Sequence, residues 1–357
     1  HAIELGARLL EAAGTKRFFA ISKELYGTPT TPLLDGHTTS LMLARRLDKV
    51  LRALDHGDLG PPQRTLTATA LARRMRIEMR KYLGDSSPTV VLVEHSSAKA
   101  VAGARRIKLR LSARFTDDDV RQLVMHEAMV HIATSLNGRA QRDLPLLAAG
   151  HPGTTRTQEG LAVFSEIVSG AMAPDRFRRL SDRVLAIQMA IEGADFLDVY
   201  RFFLDQHDDP TLAFENARRV VRGGLVQGGA PFTKDGVYLD GLVRVHDFLR
   251  VAVKIDRVDV MPLLFCGKLD LEDLPAFASL SRTGLLRYPR FLPPWAANRR
   301  FLVSYLAYSG FLNRVKLRSV EQHYRELLSD APRVPSAPGM TAAQRSGGLD
   351  PETEAAE

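Results

Sequence analysis

Thr116-Asp-Asp-Asp-Val-Arg-Gln-Leu-Val-Met-His126-Glu127-Ala-Met-Val-His131-Ile-Ala-Thr-Ser-Leu-Asn137-Gly138 is the segment that decides the fold. Thr116 can cap a helix, the three aspartates suit its positive N-terminal end, and Asn137-Gly138 suits its C-terminal end. The spacing therefore predicts one helix from 116 to 137. In the familiar His-Glu-x-x-His zinc pattern the two imidazoles are four residues apart, about 40° around an ideal helix. Here they are five apart, and at about 100° per residue His126 and His131 diverge by about 140°. Both reach one ion only if the helix carries an extra residue, and a π-bulge between Glu127 and His131 would supply it. The other reading is two unrelated, partly buried histidines.

Working outward, Pro88-Thr-Val-Val-Leu-Val-Glu and Ile107-Lys-Leu-Arg-Leu-Ser-Ala-Arg-Phe are β-rich, the second alternating apolar with polar residues, so strands are expected within 88–115. Downstream, the loop 139–157 contains Pro145, Gly150, Pro152 and Gly153, and a new helix opens near Gln158, spanning 158–172. That helix sets Glu159 and Glu166 seven apart, on one face. A catalytic zinc takes three N/O ligands and leaves an open position, and two histidines with a glutamate make such a set. His126, His131 and Glu159 are the candidate ligands. Glu127, one residue from His126, is the candidate general base, placed to take a proton from a water at the metal.

His-Glu-x-x-x-His followed some thirty residues later by Gln158-Glu-Gly-Leu-Ala resembles the bacterial "flavohemoglobin expression-modulating QEGLA motif" proteins, and through them the eukaryotic microtubule-associated tyrosine carboxypeptidase family. Gly229-Ala-Pro-Phe-Thr-Lys-Asp-Gly-Val-Tyr238 is similar to the Phe-Thr-Lys-Asp…Tyr stretch of that family, and the resemblance takes in most of residues 20–325. It implies a mainly helical, zincin-like metallopeptidase of the Glu-zincin type, with one Zn2+ per chain on His126, His131 and Glu159, and Glu127 catalytic. The five-residue histidine spacing is similar to that of dipeptidyl peptidase III-like enzymes. Val163 stands where such enzymes often place a supporting Asp, and Glu166 is the residue expected to support the metal site instead. Tubulin is the substrate that the eukaryotic resemblance implies.

Elsewhere apolar residues recur at helical spacing: Leu9, Leu10 and Ala13; Leu43, Leu47, Val50 and Leu51; Leu71, Met75, Met79 and Leu83. An N-terminal helical region, 1–87, is followed by a catalytic region, 88–330, whose later helices are expected at 174–192, 195–206, 210–222, 235–255 and 298–328. The class is thus α+β, mainly α with a small sheet. The tail 331–357 has no aromatic residue and is expected to be disordered. The segment Arg222–Pro231 carries four glycines, as a backbone-shaped turn would. Beyond it Lys234 and Tyr238 are four apart. A carboxypeptidase needs a cation for the substrate's terminal carboxylate and a donor for the oxyanion, roles that Arg222, Lys234 and Tyr238 fit. A helix cap at Thr233-Lys234-Asp235 with a packed Tyr238 is the competing reading. His246, eight residues on, is a further oxyanion candidate.

Composition narrows the classes. Of 357 residues 49 are Lys or Arg and 41 Asp or Glu, a net charge of +8. The arginines of Arg73-Arg74-Met75-Arg76, Arg176-Phe177-Arg178-Arg179 and Arg218-Arg219 have acids nearby, as on solvated helix faces, which argues against nucleic acid. The lone Cys266 excludes an intrachain disulfide framework and Cys-rich metal sites. No run of about 18–20 uncharged apolar residues suggests a membrane span. A soluble, cytoplasmic protein is expected, although a chain opening on His1 leaves room for a removed leader. Two functions remain: a zinc metallopeptidase that removes a C-terminal residue, tyrosine or another aromatic, from a peptide or protein, and a non-catalytic regulatory or binding protein with a structural or vestigial zinc site. Glu127 favours the first, because a structural zinc usually has four protein ligands and needs no base.

Overall fold

Apolar stripes at helical spacing become helices in the computed structural model, which describes residues 1–52, 65–96, 98–103, 105–207, 209–312 and 317–329. Helices α1 (Ala2–Glu11), α2 (Lys16–Tyr26) and α3 (Ser40–Arg52) lead to strand β1 (Leu66–Thr67) and helix α4 (Ala68–Leu83). Thr67 caps α4 by accepting from the Ala70 N–H.

The β-rich stretch forms β2 (Thr89–Val93), β3 (Ala100–Ala102), β4 (Arg106–Arg110) and β5 (Arg114–Phe115). The alternating run 107–115 is not one strand. It turns after Arg110, and β5 leaves to pair antiparallel with β1, while β2, β4 and β3 form a sheet in that order. Strands β2 and β4 are parallel, and β3 is the antiparallel edge. Val90, Ile107 and Leu109 bury one face of this sheet in a core shared with Leu71, Met75 and Met79 of α4. At about 1.5–3 kcal/mol per fully buried large apolar side chain, that core fixes the sheet on α4.

The helix predicted from 116 exists in three parts: α5 (Asp117–Leu123), a π-helical stretch (Val124–Ile132) and α6 (Ala133–Arg139). Thr116 and Asp119 form a reciprocal capping box at its start. Its end differs from expectation. Asn137-Gly138 does not stop the helix but lies inside its last turn, because both residues have packing work elsewhere. The Asn137 amide donates to the carbonyls of Phe265 and Phe291, and a Cβ at Gly138 would come within 2.5 Å of the Leu147–Ala148 backbone.

The remainder stacks helices α7 (Thr155–Val168), α8 (Pro174–Ile191), α9 (Phe196–His207), α10 (Pro210–Val221), α11 (Val237–Lys254), α12 (Leu274–Arg282), α13 (Pro294–Ala297), α14 (Arg299–Leu312) and α15 (Leu317–Ser329). The expected helix at 235–255 opens with a 3-10 turn, Lys234–Gly236, and of that at 298–328 the described residues Arg299–Leu312 and Leu317–Ser329 are helical. The tail from 331 lies outside the described residues. In the glycine-rich turn Gly228 adopts φ +87° against the carbonyl of Gly193, a conformation and a closeness that a side chain would obstruct. Helices α7 and α11 cross with their backbones in contact: a Cβ on Gly160 would lie 2.1 Å from the Gly241 oxygen, and one on Gly241 would lie 2.2 Å from that of Arg156. Phe164, Leu161, Val245 and Leu249 surround the crossing in the largest core. None of the described helices is long and apolar enough to cross a membrane.

Candidate metal centre

The π-helical stretch solves the spacing problem posed by the sequence. Its hydrogen bonds run five residues back, as from the Ala133 N–H to the Ala128 carbonyl, so residues five apart stand one above the other. His126 and His131 consequently converge, with ring centroids 4.9 Å apart and nearly perpendicular planes. The stretch is held between two cores, with Met125, Ala128, Met129 and Ile132 facing the sheet side and Val130 the side of α7.

From α7, Glu159 Oε2 comes to 3.5 Å from His126 Nε2 and 3.4 Å from His131 Nε2. These separations exceed good hydrogen bonds, and this buried carboxylate oxygen has no hydrogen-bond partner. Two ligands at about 2.0–2.1 Å from a tetrahedral ion stand about 3.4 Å apart, which is the spacing observed. His126, His131 and Glu159 form the one group of three metal-capable side chains found among the described residues. Burial opposes a charge on His126, but its contacts to Glu159 and Glu166 override this and push its pKa up to about 10. For Glu159 burial likewise works against ionisation, and the His131 and His126 charges hold its carboxyl well below the usual range.

The His126 ring is braced from behind. His126 Nδ1 bonds Glu166 Oε1 at 2.6 Å, and Arg176 of α8 donates to both oxygens of Glu166 at 3.0 Å. Glu166 is wholly buried, and against the burial cost Arg176 and His126 bring its pKa down to about 2. The Gln158 Oε1 atom accepts from Thr134 Oγ1 at 3.0 Å and from Lys268 Nζ at 3.3 Å. Glu127, whose Oε2 accepts from the Ala102 N–H at 3.2 Å, lies between the π-helical stretch and the edge strand β3.

The opposite wall belongs to α11. The Tyr238 ring stacks on His126 at 6.5 Å, and Arg183 sits 5.3 Å from the Tyr238 ring centroid. Burial first, and then the Glu159 charge, holds the Tyr238 phenol above its ordinary pKa, so it is a protonated donor at neutral pH. Arg219 donates to both oxygens of Asp235 at 2.7 and 2.9 Å, and Arg183 approaches Asp235 at 3.8 Å. Burial works against ionisation of Asp235, and the two arginines hold it well below the carboxylate range.

A family model described as microtubule-associated tyrosine carboxypeptidase matches residues 1–314. The chain belongs to that family. No curated protein matches it significantly.

For this family member, the structure brings together His126, His131, Glu159, Glu127, Glu166 and Tyr238 from among the residues singled out in the sequence. Arg222 and His246 lie elsewhere. Arg222 is exposed and packs over Phe232, 5.3 Å from its ring, because the glycine-rich turn directs it toward α2. Lys234 stands on the 3-10 turn, where Asp235, its neighbour, is the group of that turn that reaches the site's arginines. His246 lies two turns beyond Tyr238 on α11, against Phe164 at 6.2 Å and 3.8 Å from Asp247. The arginines of α8 were also misjudged by pattern. Arg176, read as part of a solvated face, turns inward, as does Arg183, since Glu166 and Asp235 compensate their burial. Lys268 and Gln158 escaped notice as well. The sequence signal for the arginines was their seven-residue spacing, which repeats one helix face.

Proposed function

We propose that the chain is a zincin-like zinc carboxypeptidase that removes a C-terminal residue, tyrosine or another aromatic, from a peptide or protein. The observation that carries this reading is the convergence of two imidazole nitrogens on a buried carboxylate oxygen that has no hydrogen-bond partner, next to a glutamate that is not among the three. A site with three donors and an adjacent base is built for catalysis rather than for a structural ion. Family membership supports the reaction class and the preference for tyrosine.

His126, His131 and Glu159 would hold the zinc. Bound there, it supplies Lewis acidity toward a water and the scissile carbonyl. Glu127 takes the proton of the attacking water on a carboxylate oxygen and passes it to the amine nitrogen as the C–N bond breaks and the new C–O bond forms. Tyr238, kept protonated, donates its phenol hydrogen to the oxygen on which negative charge grows. Glu166 fixes the His126 ring by bonding Nδ1, so that Nε2 is turned toward Glu159. Arg183 and Arg219 hold Tyr238 in place.

Metal analysis and peptide hydrolysis test the reading together. Purified protein should carry one zinc per chain, and His126→Ala or Glu159→Ala should lose it. Mass spectrometry of tyrosine-terminated peptides should show loss of the last residue. Full zinc retention by either variant, or absence of any C-terminal trimming by zinc-loaded protein, overturns it.

A further inference from the structure

The carboxypeptidase reading needs a receptor for the substrate's terminal carboxylate, and Arg222 packs over Phe232 instead of at the centre. The cations near the metal ligands differ in how far they are already neutralised. Arg176 is bound at both ends of its fork by Glu166, and Arg219 by Asp235. Arg183 shares Asp235 and lies on the Tyr238 ring.

Lys268 is different. It follows the buried run Val260–Phe265, and its backbone N–H donates to the Leu147 carbonyl at 2.7 Å. Its stem crosses Gly150 so closely that a Cβ there would lie 3.1 Å from Lys268 Cδ. The ammonium is thus delivered on a fixed stem to Gln158 Oε1, a neutral acceptor whose orientation Thr134 also fixes. Two of the three ammonium donors have no bond among the described residues. Burial works against the ammonium, and the charges of Glu159, next in sequence to Gln158, and of Glu127 work in its favour.

We propose that Lys268 receives the terminal carboxylate of the substrate and thereby makes this centre a carboxypeptidase rather than an endopeptidase. The proposal rests on the function proposed above. A bond cleaved between Glu127 and the ligands has its carboxyl-terminal anion one residue away, within reach of a cation that both glutamates sense. An ammonium with free donors gains there a partner that the folded chain does not supply.

The test compares one tyrosine-terminated peptide as the free acid and as the amide. Wild type, Lys268→Met and Lys268→Arg are assayed for hydrolysis, and the same substitutions on a Glu127→Gln background are assayed for binding by fluorescence anisotropy. Lys268→Met, which keeps the stem, should weaken binding of the acid and raise its KM by about 10- to 100-fold, with little effect on binding of the amide. Lys268→Arg should retain most of the preference for the acid. Melting temperatures check folding, and Lys268→Gln, able to bond Gln158, replaces the Met variant should that variant unfold. If wild type prefers the acid and the Met or Gln variant keeps the same acid-to-amide ratio, Lys268 is not the receptor and the carboxypeptidase stands. If wild type trims neither peptide, or does not distinguish them, the carboxypeptidase reading falls and this assignment with it.

Discussion

His126 is held from both sides of its ring: Nδ1 lies 2.6 Å from Glu166 Oε1, while Nε2 faces Glu159 Oε2 at 3.5 Å. One nitrogen is locked in a hydrogen bond and the other meets only the more distant Glu159 oxygen. The lock is itself anchored, because Glu166 is clamped by Arg176 and fully enclosed. Removing it should therefore have two separable effects. Glu166→Ala is expected to weaken zinc binding by about 10–100-fold, measured by chelator competition, because the His126 ring loses its orientation. It should also lower stability by about 3–5 kcal/mol in urea unfolding of the metal-free protein, because Arg176 is left buried without its counter-ion. Unchanged zinc affinity would show that the ring needs no brace.

Glu127→Gln separates base from ligand. The amide is nearly isosteric and can still accept from the Ala102 N–H, so zinc content and melting temperature should stay at the wild-type level. It cannot accept the proton of water, and kcat should fall by about 10²–10⁴-fold. Loss of zinc in this variant would instead make Glu127 a ligand.

Gly160 and Gly241 test how the two walls are positioned. Alanine is intrinsically better than glycine in a helix by about 0.5–1 kcal/mol, so propensity alone favours Gly160→Ala. A methyl 2.1 Å from a backbone oxygen is worse by more than that, since the neighbour is main chain and not a pliable side chain. Overpacking should win, with a net loss of about 1–3 kcal/mol in chemical denaturation and a fall in activity, because α7 carries Glu159 and α11 carries Tyr238. Equal or greater stability would mean that the helices can separate freely.

This crossing also explains what could and could not be read beforehand. His126, Glu127, His131, Glu159 and Glu166 lie on two helices, and fixed spacing within a helix reveals which residues share a face. The excess residue between His126 and His131 even implied the π-helical stretch. The glycine of Gln158-Glu-Gly-Leu-Ala gave no such hint, for its partner Gly241 is on a distant helix. Lys268 meets Gln158 across 110 residues, a closeness that no local pattern encodes. The α8 arginines failed for the opposite reason: charges at helical spacing look solvated until the buried carboxylate that pairs with each is known. Lys234 had the right chemistry and spacing, yet it is Asp235 beside it that enters the site's arginine network.

Asp235 should leave a pH signature. Its carboxyl is held below the value of about 3.9 expected in the unfolded chain, so its stabilising effect is present above that pH and declines as pH falls further. Asp235→Asn leaves Arg219 and Arg183 uncompensated and should cost about 3–5 kcal/mol at pH 7. The gap between wild type and variant should then narrow below about pH 4. A gap independent of pH would remove the charge from the explanation.

Cys266 offers a probe of the native core. Its thiol is fully enclosed, donates to the Arg287 carbonyl at 3.4 Å, and burial pushes its pKa up to about 12. At pH 8 N-ethylmaleimide should label it only on unfolding, since the thiolate is the nucleophile. Rapid labelling of folded protein would contradict this packing.

The π-helical stretch binds the chain's history as firmly as it could bind a metal. Deleting one residue between Glu127 and His131 would produce a four-residue histidine interval that an ordinary α-helix satisfies. The same deletion would turn every later residue of that helix by about 100° and draw it back by about 1.5 Å. Asn137 would then leave the carbonyls of Phe265 and Phe291, and Gln141 its bonds to Arg287. An isolated peptide would welcome the change, whereas the assembled protein would lose the latches that join its centre to residues 265–291. A lineage carrying the longer interval therefore has no single-deletion route to the shorter one, and the irregular turn persists because its correction is ruinous elsewhere.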